Sequence, residues 1–185
     1  MGKIAFLLAE GFEETEAVVP VDVLRRLEFD VVLVGVDSGT VAGAHGVRIV
    51  ADCRLSEVKA SMLDAVVLPG GMPGSENLRK NPAVLELVRA VSKAGGVCAA
   101  ICAAPIVLKA AGVIEGKRVT AYPAPFVKEA LTGCTNTGGR AEVDGKIVTG
   151  KGPGASFEFA VKLAAALGKE AEARQLMNVM FVNQK

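Results

Sequence analysis

Gly95-Gly-Val-Cys98-Ala-Ala-Ile-Cys102-Ala-Ala-Pro105-Ile-Val-Leu108 is the stretch that decides the fold. Val97 to Ile101 is apolar and short, as a strand buried on both faces should be. Pro105 fits the first turn of a helix, where its missing N–H leaves no bond unmade. Two or three residues remain for the reversal, which places Cys102 in a sharp strand-to-helix turn. Ala100, Ala103 and Ala104 are the small neighbours such an elbow tolerates. A thiol there faces the unpaired N–H groups and the positive end of the next helix, so a lowered pKa is expected. Two readings of Cys102 stand side by side at this point. It is either a nucleophile at the strand end where doubly wound sheets bind ligands, or one more small buried thiol. Cys98 shares its strand face by alternation but lies about 13 Å deeper, too far for a disulfide, and reads as core.

Outward from this segment, short runs of Val, Ile and Leu alternate with longer amphipathic stretches. That is the pattern of parallel strands buried on both faces and joined by crossover helices. The expected architecture is a three-layer, flavodoxin-like α/β sandwich with a mostly parallel sheet, in a single domain spanning residues 1–185. Strands are placed near Lys3 to Ala9, Asp30 to Val36, Val47 to Ala51, Ala65 to Leu68, Val97 to Ile101, Arg118 to Thr120 and Lys146 to Thr149. Glu13, Glu14 and Glu16 open a helix that ends near Arg25 and Arg26, each charge matching its end of the macrodipole, and Pro20 should kink it. Asn81-Pro82 opens a helix closed by Gly95-Gly96, Pro105 one closed by Gly112, and Ser156, as a cap, one closed by Gly168. Asp144-Gly145 reads as a type I′ turn, giving an antiparallel hairpin at the sheet edge.

The composition narrows the function classes. Twenty-one basic and twenty acidic residues give a net charge of +1 with the signs mixed, and only 4% of residues are aromatic, so nothing resembles a nucleic-acid footprint. The apolar start is cut short by Glu10, and the longest nearly apolar stretch, Val97 to Leu108, is far below the ~20 residues of a membrane span. A soluble cytoplasmic protein without nucleic-acid or membrane partners is expected. Four scattered cysteines imply reduced thiols, and one histidine with no CxxC pair argues against structural zinc. Cys53 and Cys134 have no base nearby in sequence. Leu68-Pro-Gly-Gly-Met-Pro-Gly74 is a glycine loop after a buried strand, able to bring backbone N–H groups against a ligand or simply to turn the chain. Lys151-Gly-Pro-Gly154 reads as an anion loop or as a plain connection.

Several separated motifs then occur in one order: Ala-Glu-Gly-Phe-Glu-Glu-Thr-Glu (9 to 16), Pro-Val-Asp-Val-Leu-Arg-Arg (20 to 26), Val-Val-Leu-Pro-Gly-Gly (66 to 71), Ala-Ala-Ile-Cys-Ala (99 to 103) and Gly-Pro-Gly-Ala-Ser-Phe-Glu-Phe-Ala (152 to 160). Together they resemble the ThiJ/PfpI superfamily over essentially the whole chain, and most closely the branch of Parkinson disease protein 7 and its bacterial relatives. The resemblance implies that Cys102 is the nucleophile and Glu16 its acid/base partner, a carboxyl that donates a hydrogen bond to the sulfur. It further implies that the N–H groups of Gly71 and Ala103 form an oxyanion site and that Tyr122 takes the place of the histidine found near the cysteine in many members. Pro153 matches a residue that approaches the site from the partner of a homodimer. His45 stands where relatives carry a basic residue and reads as a surface side chain.

The activity implied by the resemblance is that of a glyoxalase III-like lyase or protein deglycase. It would turn methylglyoxal or glyoxal, or their early adducts on protein side chains, into hydroxy acids without metal, glutathione or other cofactor. The alternative from another class is a redox-regulated chaperone or oxidative-stress sensor that oxidises the same cysteine. A cysteine peptidase fits poorly. That branch places histidine directly after the cysteine, where this chain has Ala103, and its single histidine, His45, is expected far from the elbow.

Overall fold

The computed structural model describes residues 2–182. In chain order its elements are β1 (Lys3–Leu8), α1 (Glu14–Arg26), β2 (Val31–Gly35), β3 (Thr40–Ala42), β4 (Arg48–Val50), β5 (Cys53–Arg54) and β6 (Leu63–Leu68). These are followed by α2 (Gly74–Lys80), α3 (Pro82–Lys93), β7 (Val97–Ile101), α4 (Pro105–Ala110), β8 (Arg118–Val119), α5 (Pro125–Ala130) and β9 (Thr135–Asn136). The hairpin β10 (Ala141–Asp144) and β11 (Ile147–Gly150) and the helices α6 (Ser156–Ala166) and α7 (Glu170–Val179) complete the fold.

The main sheet has the order β10-β11-β7-β6-β1-β2-β5, parallel throughout except for the edge pair β10–β11. Strand alternation divides the core into two layers. Ile4, Phe6, Ala65, Val67, Val97, Ala99 and Ile101 pack toward α1, α6 and α7. Ala5, Leu7, Val66, Leu68, Cys98 and Ala100 pack toward α2, α3, α4 and α5. Both faces being covered is what lets these strands be apolar at successive positions, with only Lys3 and Asp64 polar near the starts of β1 and β6. The ends of β1, β6 and β7 therefore converge on one rim of the sheet, where the first turn of α1 with Glu16, the loop with Gly71 and the elbow with Cys102 meet.

Several expectations are corrected. The expected strand from Val47 to Ala51 is β4, which pairs only with β3 outside the main sheet, because only Ile49 of its three residues packs inward. The strand from Arg118 is likewise separate. β8 pairs with β9, and Thr120 beyond it bonds Thr149 Oγ1 and Gly139 O instead of a ladder. Asp144 pairs with Ile147, so the hairpin loop is Gly145-Lys146, one residue later than Asp144-Gly145, and only Gly145 has a positive φ. Ser156 does not cap α6. It is the first helical residue, and its hydroxyl donates to Pro153 O. α1 runs on through Pro20 without interruption, and Asn81 caps α3 by accepting from the N–H groups of Ala83 and Val84.

Candidate active site

Cys102 follows the last residue of β7 and adopts a left-handed backbone, φ 64°. For a residue with a Cβ this conformation costs about 1–2 kcal/mol, and it persists because the surroundings fix it. Cys102 N–H donates to Gly150 O at 2.9 Å, Ala104 N–H to Ile101 O at 3.0 Å, and the Cys102 carbonyl accepts from Tyr122 N–H at 2.8 Å. The same backbone turn corrects the expected side-chain geometry. Alternation would put Cys102 on the face of Cys98, but the left-handed residue swings it to the opposite layer. Cys98 is fully buried toward α3, whereas the half-buried Cys102 packs with the layer of α1 and α6.

Glu16, the third residue of α1, is fully buried. Its Oε2 accepts the Gly70 N–H at 2.8 Å, while Oε1 has no nitrogen or oxygen partner. That oxygen lies on the side of the Cys102 thiol, whose neighbourhood shifts the carboxyl and is shifted by it. Gly70 makes this proximity possible. A Cβ there would lie 2.5 Å from Glu16 Oε2 and 2.6 Å from Cys102 Cβ. Burial pushes the Glu16 carboxyl up to about 7, and the charge of Glu13 adds to the rise, against the opposing hydrogen bonds of Cys102 and Gly70.

The expected lowering of the Cys102 pKa is not found. Burial, then the charge of Glu16 and the hydrogen bond to it, push the thiol up to about 12, and the N–H groups of Gly71 and Ala103 pull only partly against them. The helix that was to favour thiolate, α4, is six residues long, and its dipole is correspondingly weak. Protonating Glu16 removes the like charge and leaves a donor facing the sulfur. The two groups thus titrate as a pair, and thiolate is favoured when the carboxyl is neutral.

The other residues singled out in the sequence are placed as follows. Gly71, at φ 88°, and Ala103 both turn their N–H groups toward the sulfur. Tyr122 is half exposed beside the elbow, and with Lys151, Gly152 and Pro153 it lines a shallow cavity of about 290 Å³. Pro153 is exposed. His45 is not brought to Cys102. Its ring meets Glu13 and Glu14 at 3.3 and 3.0 Å, and no Cys-His pair is assembled. Sequence reasoning missed Gly70 as the residue that positions Glu16, although the Pro-Gly-Gly run carried it, and missed the three-residue contact around His45.

Residues 2–166 match the model of the DJ-1/PfpI family. Among curated proteins the chain is 36% identical to protein dj-1beta of Drosophila melanogaster, over 95% of each. It is 37% identical to the glutathione-independent glyoxalase DJR-1.2 of Caenorhabditis elegans, over 89% of this chain and 87% of that one. Protein DJ-1 homolog A of Arabidopsis thaliana is 37% identical over 95% of this chain, which spans only 45% of that longer protein. A deglycase of Pyrococcus horikoshii is 34% identical over 65% of this chain and 72% of that one. Among solved structures, a cysteine-to-alanine mutant of a DJ-1 superfamily protein from Salmonella typhimurium superposes with a TM-score of 0.91 at 38% identity, covering 98% of both chains. The chain belongs to the DJ-1/PfpI family.

Proposed function

We propose that the chain is a cysteine-dependent enzyme that converts reactive dicarbonyls, free or as early glycation adducts on proteins, into hydroxy acids without a cofactor. The observation that carries this reading is the pairing of a strained elbow cysteine with a buried carboxyl whose pKa of about 7 makes both its forms available near neutral pH. Relatives named glyoxalase and deglycase give the substrate class.

In the proposed reaction the Cys102 sulfur bonds to the aldehyde carbon of methylglyoxal and the carbonyl oxygen takes up a proton, giving a hemithioacetal. The N–H groups of Gly71 and Ala103 stabilise the oxyanion on the way. Glu16, as carboxylate, takes the C–H proton from that carbon and returns it to the neighbouring one, which leaves a thioester of lactate. Water hydrolyses the thioester, releases lactate and restores the thiol. Glyoxal gives glycolate by the same steps. Tyr122, half exposed, is assigned to substrate contact rather than proton transfer. Pro153 is assigned to the rim of the neighbouring site in a homodimer.

Lactate formation from methylglyoxal by the purified protein tests the reading. Wild type should turn over and Cys102→Ser should not. Equal rates, or none in either, would sink it.

A further inference from the structure

We propose, on the dicarbonyl reading above, that Lys151 is the specificity residue of the Cys102 site and selects small 2-oxoaldehydes that carry one carboxylate. The Lys151-Gly-Pro-Gly154 loop read from sequence as an anion loop or as a plain connection, and its place in the fold favours the first. Both walls of the cavity beside the elbow are fastened to Cys102 itself. Cys102 N–H donates to Gly150 O at 2.9 Å, and Lys151 is the next residue; Tyr122 N–H donates to Cys102 O at 2.8 Å. The Tyr122 ring lies against the loop, where a Cβ on Gly152 would be 3.5 Å from it. The cavity of about 290 Å³ that these walls enclose suits a substrate of a few carbons.

The charges of this cavity are all of one sign. Arg140 and Lys151 line it, and no acid does. Arg140 is already neutralised, because its Nε donates to Glu158 Oε1 at 2.5 Å and its Nη2 to Gly154 O. Lys151 has no such partner. It is half-buried, its ammonium donates to the neutral carbonyl of Gly138 at 3.2 Å, and it forms no ion pair among the described residues. Two of its three N–H donors are left for a ligand. One uncompensated positive charge matches a carboxylate better than a phosphate, which carries nearly two negative charges.

The sheet order gives such an anion a direction. In β11-β7-β6-β1, Cys102 ends β7 with Lys151 after β11 on one side, while Glu16 and Glu13, at the start of α1 after β1, lie on the other. An anionic tail is therefore repelled from the acid side and held on the lysine side, which leaves the aldehyde end at the sulfur. Methylglyoxal has no group for Lys151 to hold.

4,5-Dioxopentanoate and its methyl ester differ only in that charge, so the ratio of their KM values reads Lys151. Wild type should show a KM about tenfold lower for the acid, the contribution of one charge-assisted hydrogen bond, with similar kcat for the two. Lys151→Met keeps the length of the side chain without the charge and should abolish that ratio, while Lys151→Arg should retain most of it. Labelling of Cys102 by iodoacetate against iodoacetamide gives a second ratio that needs no turnover, and it should fall several-fold in Lys151→Met. Acid and ester used equally by wild type, or either ratio unchanged in Lys151→Met, would overturn the role of Lys151 and leave the dicarbonyl reading standing. No turnover of either compound would overturn that reading and the substrate assignment with it.

Discussion

Glu16 serves the proposed chemistry only if it holds a proton at one step and lacks it at another, and its buried position sets that balance. Glutamine at this position keeps a donor toward sulfur and the size of the side chain, but moves no proton. Glu16→Gln should lower dicarbonyl turnover by something like 10²–10⁴, measured as kcat. Labelling of Cys102 by iodoacetamide at pH 8 should stay as fast as in wild type or rise, since the like charge that holds the thiol up is gone. The same carboxyl predicts a pH-dependent stability. Its folded pKa, about 7, lies above the ordinary carboxyl value of 4.5, so between these values the folded state binds the extra proton. Stability then falls as pH rises through that window, by up to about 3 kcal/mol, and levels off above it. Urea unfolding from pH 5 to 8 should show the fall in wild type and lose it in Glu16→Gln; an unchanged slope would place the titration elsewhere. The sharp turn at Cys102 was legible in the sequence because it is local. Its raised pKa was not, because that comes first from burial by the fold and then from a carboxyl 86 residues earlier in the chain.

Three loops from three strand ends must approach within a side chain's width for the site to exist, and Gly70 is where the fit is tightest. It leads from β6 between Glu16 and Cys102, and an added Cβ meets both at 2.5–2.6 Å. Gly70→Ala should destabilise the protein by about 1–3 kcal/mol, as overpacking does, read as a lower urea midpoint. It should also abolish turnover, since either the carboxyl or the sulfur has to move away. A variant with full stability and activity would show that the rim is softer than described. The same rim explains which elements could be read in advance. β1, β6 and β7 are buried on both sides and are apolar but for Lys3 and Asp64 near their starts, so their sequence is a sufficient signal. β3, β5 and β9 have two or three residues each, too few for a period, and exist because partners arrive from elsewhere in the chain. α2 begins in the glycine loop itself, where Gly and Pro mark a turn and conceal the helix that follows.

At the scale of the whole molecule, the question is what covers the apolar side chains left at the surface next to the site. Val18 on α1 is 49% exposed and Val50 on β4 is 73% exposed, on the two elements that flank the Glu13–Glu16 segment. Pro153 is exposed where it lines the cavity beside Tyr122. The proposed homodimer accounts for these features together, and it was implied in the sequence only by resemblance, since periodicity within one chain carries no information about a second copy. A charge at either valine would have to be buried without a partner in such an interface, which is strongly unfavourable. Analytical ultracentrifugation should therefore find wild type as a dimer and Val18→Asp or Val50→Asp shifted toward monomer. Folding should be unaffected in both, because the side chains are exposed within the chain. If Pro153 completes the partner's site, the same variants should lose lactate formation in proportion to their monomer fraction, with iodoacetamide labelling of Cys102 retained. Dimers that survive both substitutions would remove this face from the interface, and monomers with full turnover would show that the site needs no second chain.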